Sequence, residues 1–214
     1  MTDWRSQSSS LVMALEEDGF LKSEKVKQAF LETPRHLFVP ENLRHLAYQD
    51  RPLSIGFGQT ISAPHMVALM TEALEVLPGS RILEVGGGSG YQAAILAKVA
   101  YDGFIHSVER NRSLALKAAG LLESLGIENT IFHVGDGSTG LSRQSPFDRI
   151  IVTAAAPGIP ETLVRQLAAA GILLAPTGSR DVQDLVRLRN DNEGVVTENL
   201  GSCRFVPLVG EEGW

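Results

Sequence analysis

The sequence predicts an α/β protein with a mostly parallel, twisted sheet, antiparallel C-terminal strands and an N-terminal helical extension. Two observations predict this fold class. Short apolar runs alternate with segments of helical periodicity between residues 81 and 176, which is the order that βαβ units require. Later, residues 185–189 alternate apolar with charged side chains, which is typical of a half-exposed strand. The 214 residues suffice for one good core, so we expect a single domain.

The first 47 residues are predicted to form the helical extension, which packs over the ligand-binding edge of the sheet. Residues 6–18 carry apolar side chains at helical spacing. Ser23 is a candidate N-cap for a second helix, which ends at Pro34 because proline cannot continue the hydrogen-bond ladder. Residues 34–40 are then expected to be irregular.

Residues 48–62 lack helical periodicity and are predicted to be a long loop. Loops of this length in compact domains are usually functional or disordered, and the apolar side chains here favour function. Pro64 then opens a helix that continues to residue 74, at the position where proline is tolerated. Ser62 stands just ahead of this helix, where a hydroxyl and backbone N–H groups can bind an anion. A helix-capping role for Ser62 is the alternative.

A glycine-rich segment lies between a predicted strand at residues 82–85 and a predicted helix at residues 92–99. An acid and four glycines mark it: Glu84, Gly86, Gly87, Gly88 and Gly90. Glycine allows positive φ and close approach of a ligand, and the helix start offers unpaired N–H groups. Tyr91 occupies the place where a dinucleotide fold needs a small residue. The pattern therefore favours S-adenosylmethionine-dependent methyltransferases, with a plain strand-to-helix connection as the alternative.

Two further predicted strands end next to acids. Residues 104–108 are followed by Glu109, whose carboxylate can accept hydrogen bonds from two ribose hydroxyls. Residues 130–134 are followed by Asp136 between two glycines, and this acid can accept from the exocyclic amine of adenine. Each acid alone can also be a solvated or turn residue. Because ligands of open α/β sheets bind at the carboxyl ends of the strands, we expect both acids to face one ligand.

The rest of the chain continues the alternation and then becomes antiparallel. We predict helices at residues 113–125 and 160–169, core strands at residues 148–153 and 172–176, later strands at residues 185–189, 195–197 and 203–208, and a turn at residues 191–194.

Composition limits the partners and the compartment. The formal net charge of −6 argues against a surface that binds nucleic acid. Cys203 is the only cysteine, so the chain has no internal disulfide or cysteine-based metal site, and a reducing, cytoplasmic compartment fits best. The five histidines lack ligand spacing, and we expect no metal. We see no membrane span or signal peptide, and we expect a monomer.

Five segments resemble protein-L-isoaspartate O-methyltransferases, in that family's order, from about residue 34 to about residue 209. They are residues 58–68 (GQTISAPHMVA), 83–92 (LEVGGGSGYQ), 135–137 (GDG), 151–157 (IVTAAAP) and 204–208 (RFVPL). The first segment is highly specific, whereas the glycine loop marks only the class. The resemblance implies a Rossmann-like S-adenosylmethionine-dependent repair enzyme. Such enzymes methylate the free α-carboxylate of L-isoaspartyl residues in damaged proteins and peptides, and leave S-adenosyl-L-homocysteine.

The resemblance also implies residue roles. Ser62 is implied to be the active-site residue. The residues implied to contribute to the cofactor site are Gln59, Thr60, Ile61, Ser62, His65, Glu84, Gly86, Gly88, Ser89, Glu109, Arg110, Asp136 and Gly137. Residues 1–214 would then form one methyltransferase domain, with the extension at residues 1–47, an active-site loop at residues 48–62 and the α/β core at residues 63–214. The acceptor carboxylate is already ionised at neutral pH, so no general base is needed.

The sequence departs from the family pattern at a few places. Gly87 stands where Thr, Cys or Ser is more usual, and we expect it to loosen the loop slightly. Ser54 replaces a common proline, and residues 209–211 lack a hydroxyl that some relatives place after the last strand, so we assign no site there.

Three other functions are compatible with parts of the sequence. A methyltransferase acting on a nucleobase or an amide would need an Asn or Asp, two prolines and an aromatic residue where this chain has residues 153–157 (TAAAP). A nicotinamide dehydrogenase is disfavoured by Tyr91 and by the missing catalytic set. A non-catalytic cofactor-binding module would be expected to lack an intact segment around Ser62.

Overall fold

A computed structural model describes residues 3–191 and 194–214. Its helices are α1 (Trp4–Glu17), α2 (Glu24–Glu32), α3 (Pro64–Ala73), α4 (Tyr91–Val99), α5 (Arg112–Ser124) and α6 (Glu161–Arg165). Its strands are β1 (Leu53–Gly56), β2 (Gln59–Ile61), β3 (Arg81–Val85), β4 (Phe104–Glu109), β5 (Thr130–Val134), β6 (Phe147–Val152), β7 (Leu167–Gly178), β8 (Gln183–Asp191) and β9 (Gly194–Cys203). In this described part, no helix has both the length and the apolar character needed to cross a membrane.

Seven strands form the central sheet in the order β5-β4-β3-β6-β7-β8-β9. The pairs from β5 to β7 are parallel, whereas β8 and β9 are antiparallel to their neighbours. The predicted fold class is therefore confirmed. The strand order reverses beside β3, and at such a point the carboxyl ends of the neighbouring strands open a crevice for a ligand.

The strand β3 is buried on both faces of the sheet. Ile82 packs in one apolar cluster with the helices of the first half, whereas Leu83 and Val85 pack in a second cluster on the other face. Covering both faces requires a nearly continuous apolar run, which explains why the segment before the glycine loop does not alternate.

The N-terminal extension reaches the glycine loop, as the sequence predicts. Phe30 and Phe38 pack edge-on against the ring of Tyr91, with centroids 6.1 and 5.2 Å away. Ser23 stands at the N-cap position of α2, but its hydroxyl donates to Glu72 instead of capping the helix. The region predicted to be irregular contains a 3₁₀ turn at Arg35–Phe38.

The predicted loop at residues 48–62 contains a β-hairpin, so the prediction of a loop without regular structure is wrong. β1 and β2 pair antiparallel, and Phe57 and Gly58 form the turn with φ values of 55° and 71°. Two positive φ values in succession produce the turn twist that a tight hairpin prefers. Strands of four and three residues are too short to show a period, so the pairing could not be read from the sequence.

The predicted helix at residues 160–169 is too long. α6 ends at Arg165, and β7 already begins at Leu167, which pairs with Phe147. Ala170 has a φ of 57°, and the register of β6 and β7 shifts at this point. The apolar side chains of residues 167–170 are compatible with a helix or a strand. The edge of β6 that faces away from β3 has backbone N–H and C=O groups that need partners, and pairing with them makes these residues a strand.

The C-terminal strands also differ from the prediction. β9 extends over Gly194–Cys203, far beyond the predicted residues 195–197. The predicted strand at residues 203–208 is wrong, since only an isolated bridge joins Pro207 to Ala155. Of the predicted turn at residues 191–194, Asn192 and Glu193 lie outside the described residues.

Candidate active site

The glycine loop after β3 is held by backbone and side-chain hydrogen bonds. The amides of Gly86 and Gly87 donate to the carbonyl of Val108 over 2.8 and 3.2 Å. The hydroxyl of Thr153 donates to the carbonyls of Val85 and Gly86 over 3.0 and 2.6 Å. Gly86 has a φ of 98°, and a Cβ there would collide with the Thr153 hydroxyl. Glycine is thus required at residue 86 by conformation and by space.

Gly87 is tightly packed, contrary to the expectation of a looser loop. A Cβ at residue 87 would collide with the hydroxyl of Ser107 and would lie 2.8 Å from Cε1 of Phe132. A Thr, Cys or Ser side chain at residue 87 would collide with these two residues unless they moved. Glycine at residue 87 therefore matches the packing of this chain.

Glu84 lies beneath the loop and outside the cavities described below, although the resemblance implies that it contributes to the cofactor site. Its side chain is fully buried and accepts a short hydrogen bond from the hydroxyl of Ser107. Burial raises the pKa of Glu84 to about 8, and the bond from Ser107 only partly opposes this. The carboxyl group is accordingly protonated at neutral pH.

This buried carboxyl group is expected to lower stability as the pH rises. The pKa of Glu84 is about 8 in the folded chain and about 4.3 in an unfolded one, so the folded state keeps a proton that the unfolded state releases. The free energy of unfolding should fall between these two pH values. Chemical denaturation across the range measures it. Glu84→Gln should flatten the profile, and parallel profiles for both chains would contradict the assignment.

Glu109 joins the glycine loop to the start of α5. One carboxylate oxygen accepts from the amide of Gly88 over 2.9 Å, and the other accepts from the amide of Asn111 over 2.7 Å. The residue is 6% exposed, at the carboxyl end of β4. Because each carboxylate oxygen can accept more than one hydrogen bond, Glu109 keeps capacity for a ligand hydroxyl.

A cavity lies over the glycine loop, and we name it the loop cavity. The hairpin covers it, and Gly86, Tyr91 and Thr153 are among the residues of its floor and walls. Eight of the residues implied by the resemblance line it: Gln59, Thr60, Ile61, Ser62, Gly86, Gly88, Ser89 and Glu109. The hairpin, the loop and the tips of three strands therefore converge on one space.

A second cavity adjoins the first, and we name it the tail cavity because residues 207–209 form one wall. Arg110 and Gly137 line it, as the resemblance implies for a single cofactor site. Gln59, Gly86 and Glu109 line both cavities. The sequence assigned no site to residues 209–211, but Val209 contributes to this wall.

Asp136 lies outside the lining of both cavities and holds the C-terminal residues. One of its carboxylate oxygens accepts from the amide and the hydroxyl of Ser138 over 2.9 and 2.7 Å, and the other accepts from the amide of Glu211 over 2.7 Å. The contact of Asp136 with an adenine amine stays a prediction, since the carboxylate keeps capacity for a further hydrogen bond. The carboxylate reaches the tail because Gly210 carries no Cβ that would collide with it.

A third space lies beside the loop cavity, and we name it the outer groove. Arg204 and Phe205 line it, together with Ser202 and Cys203 from the end of β9. Four residues line both spaces: Thr60, Ser62, Thr153 and Val206. Ser62 thus stands where the loop cavity and the outer groove meet.

The capping alternative for Ser62 is wrong. Ala63 occupies the N-cap position of α3, and the amide of His65 donates to the Asp50 carboxylate over 2.9 Å. Pro64 has no N–H group, so these first amides of α3 are not free for an anion. The Nδ1 atom of His65 also lies 2.9 Å from both Asp50 oxygens. His65 lines the outer groove and not the loop cavity, where the resemblance implies it contributes.

Thr153 and Val206 are two of the lining residues that sequence reasoning did not assign to the site. Thr153 follows β6, and the rule that ligands bind at carboxyl strand ends could have identified it. Val206 comes from the segment after β9 and lies in the RFVPL motif, which carries the resemblance but received no site assignment. Within the described residues, no group of three or more His, Cys, Asp or Glu side chains could hold a metal ion.

The family of the chain follows from comparison with known proteins. The family model described as Protein-L-isoaspartate(D-aspartate) O-methyltransferase (PCMT) matches residues 6–213. The chain belongs to this family. It is therefore a methyltransferase that uses S-adenosylmethionine and acts in the repair of isoaspartyl residues, as the resemblance implies.

Individual relatives agree over nearly the whole length. The protein-L-isoaspartate O-methyltransferase of Dictyoglomus thermophilum is 47% identical over 212 residues, covering 99% of this chain and 95% of the relative. A solved protein-L-isoaspartate O-methyltransferase has a TM-score of 0.85 at 33% identity, covering 96% of this chain and 66% of that one. A solved relative from Plasmodium falciparum, in complex with S-adenosyl-L-homocysteine, has a TM-score of 0.81 at 28% identity, covering 94% and 97%.

Proposed function

We propose that Ser62 orients the acceptor carboxylate at the opening between the outer groove and the loop cavity. One observation carries this proposal: Ser62 lines both spaces, in company with Thr60 and Thr153. A hydroxyl can donate to one oxygen of a carboxylate and leave the other oxygen free to attack a methyl group. Ser62 would thereby select the orientation in which the two reactants meet in line.

The loop cavity and the tail cavity together are proposed to hold S-adenosylmethionine. Glu109 stands where the two cavities meet and accepts hydrogen bonds from the ribose hydroxyls. The backbone of Gly86 and Gly88 admits a ligand closely because no Cβ intervenes. Arg110 and Gly137 contribute to the wall of the tail cavity. When bound, the cofactor supplies a methyl group on a good leaving group.

Residues of this chain have little proton chemistry to perform. The isoaspartyl α-carboxylate is ionised at neutral pH, so it attacks without a general base. Burial raises the pKa of the Cys203 thiol to about 11, so the thiol in the outer groove stays protonated. What the chain contributes is orientation and exclusion of water. Ile61, which is buried in the hairpin, lines the loop cavity and helps to keep it dry.

The outer groove is proposed to hold the damaged peptide. Its cationic side chain, Arg204, and the ring of Phe205 lie beside small residues at the end of β9. The small residues of the segment TAAAP, which starts at Thr153, leave room for an approaching peptide backbone. The groove opens to the outside, as a site for a residue within a large protein must.

A pair of peptides tests the substrate and the position of the reacting carboxylate. The peptides are identical except that one carries L-isoaspartate and the other carries L-aspartate. With labelled S-adenosylmethionine, we expect a base-labile methyl ester on the isoaspartyl peptide only. A chain that binds the cofactor but methylates neither peptide would contradict the proposal, and small carboxylates and nucleic acid would then be tested as acceptors.

We further propose that residues 1–214 work as one domain and as a monomer, without nucleic acid or membrane partners. The extension at residues 1–47, the hairpin segment at residues 48–62 and the core from residue 63 contribute to continuous apolar clusters. The net charge of −6 disfavours nucleic acid. The single cysteine is compatible with work in the reducing cytoplasm.

A further inference from the structure

Arg35 is a buried cation close to the active site. It is 0% exposed, and it begins the 3₁₀ turn of the N-terminal extension. Burial lowers the pKa of its guanidinium because water is excluded. A cation is costly to bury unless fixed partners replace its hydration, so its presence here needs an explanation.

The guanidinium of Arg35 joins three separate parts of the site. Its Nε donates to the carbonyl of Ala47 over 2.9 Å, just ahead of the hairpin segment. Its Nη2 donates to the carbonyl of Ser62 over 2.7 Å. The guanidinium carbon lies 4.8 Å from the centre of the Tyr91 ring, which lines the loop cavity. One rigid guanidinium group therefore donates two hydrogen bonds and makes one cation–π contact.

We propose that Arg35 is a positioning residue for methyl transfer, acting through Ser62. By holding the Ser62 carbonyl, Arg35 fixes the backbone that carries the Ser62 hydroxyl at the opening between the loop cavity and the outer groove. This inference rests on the proposed role of Ser62. A displacement of about 1 Å in a positioning group can cost about 100-fold in rate, so one backbone hydrogen bond can matter for turnover.

The site requires arginine, and another cationic side chain cannot replace it. The planar guanidinium presents donors in fixed directions, so that Ala47 and Ser62 are reached at the same time while the flat face covers Tyr91. Lysine offers a compact ammonium on a flexible chain and cannot reproduce all three contacts. We therefore expect lysine at this position to leave Ser62 less well ordered although the charge is kept.

A double-mutant cycle with Arg35→Lys and Ser62→Ala tests the inference. In the otherwise unchanged chain, Arg35→Lys should lower kcat for an isoaspartyl peptide by about 10-fold to 100-fold. The Kd for S-adenosylmethionine should change by less than about threefold, because the wall that binds the cofactor is intact. In the Ser62→Ala chain the same substitution should change kcat by less than about threefold, because the group it positions is already gone.

The outcomes separate the inference from the role of Ser62. If Arg35→Lys lowers kcat equally in both backgrounds, Arg35 acts independently of Ser62 and the inference is overturned. If Ser62→Ala alone leaves kcat unchanged, the proposed role of Ser62 fails first and the inference fails with it. Arg44→Lys is the matched control, since Arg44 is an exposed arginine in the same extension and should leave kcat unchanged. If Arg35→Lys does not melt cooperatively, Arg35→Gln enters the same cycle.

Discussion

Replacing Ser62 with alanine is expected to lower kcat for an isoaspartyl peptide about 100-fold and to leave the affinity for S-adenosylmethionine nearly unchanged. The hydroxyl stands at the opening between the loop cavity and the outer groove, where it can contact the acceptor. In the proposed cofactor site the backbone of the glycine loop and Glu109 supply most of the contacts, and the substitution does not touch them. Steady-state kinetics on the peptide and titration calorimetry with the cofactor measure the two effects separately.

A matched serine provides the control for this prediction. Ser54 lies on the exposed face of β1 in the same hairpin, and Ser54→Ala should change neither kcat nor cofactor affinity. The prediction would be wrong if Ser62→Ala weakened cofactor binding as strongly as it lowered turnover. In that case Ser62 would be a cofactor-binding residue, and the acceptor carboxylate would be oriented by another group at the same opening, with Thr60 and Thr153 as the neighbours to test.

Replacing Gly86 with alanine is expected to weaken cofactor binding by at least about 100-fold and to lower the free energy of unfolding by about 1–3 kcal/mol. The backbone at Gly86 has a φ of 98°, which side chains rarely adopt, and the new Cβ would collide with the Thr153 hydroxyl. The loop must then move away from the two hydrogen bonds that Thr153 donates. Calorimetric titration and thermal melting measure the two losses.

Two further variants show whether the collision or the backbone conformation dominates. Gly135→Ala is the control, since Gly135 also follows a strand tip but has no atom within 4 Å of an added Cβ; it should retain cofactor affinity. Thr153→Ala combined with Gly86→Ala removes the collision but not the unfavourable φ. We expect a partial recovery of affinity from the double variant, and a full recovery would show that the φ of 98° contributes little.

The parts of the fold that could be predicted depend on neighbours in the chain. The strand before Gly86, the glycine loop and α4 lie within 20 residues of one another, and their periodicity and composition suffice to define them. The same holds for the two acid-bearing strand tips, one of which carries Glu109. The hairpin was missed because β1 and β2 are too short to carry a period. Residues 167–169 are predicted to be helical from the sequence, because only pairing with the free edge of β6 makes them a strand.

The sequence likewise predicts the position of some site residues and not of others. Eight of the implied cofactor residues line the loop cavity, and two more line the tail cavity. Glu84, His65 and Asp136 lie elsewhere, under the loop, in the outer groove and against the tail. Sequence motifs mark which residues the family keeps together, but they do not say whether a side chain contacts the ligand or supports the residue that does.

The sequence by itself determined the fold class, the glycine loop and the family, and it singled out Ser62 as a candidate, because each rests on spacing or on a motif within a short segment. Only the tertiary structure decided how Ser62 is held and what surrounds it. Arg35 lies 27 residues from Ser62, and Asp136 lies 75 residues from Glu211. Contacts between such distant residues arise when the sheet and helices close around a common core, and no local pattern encodes them.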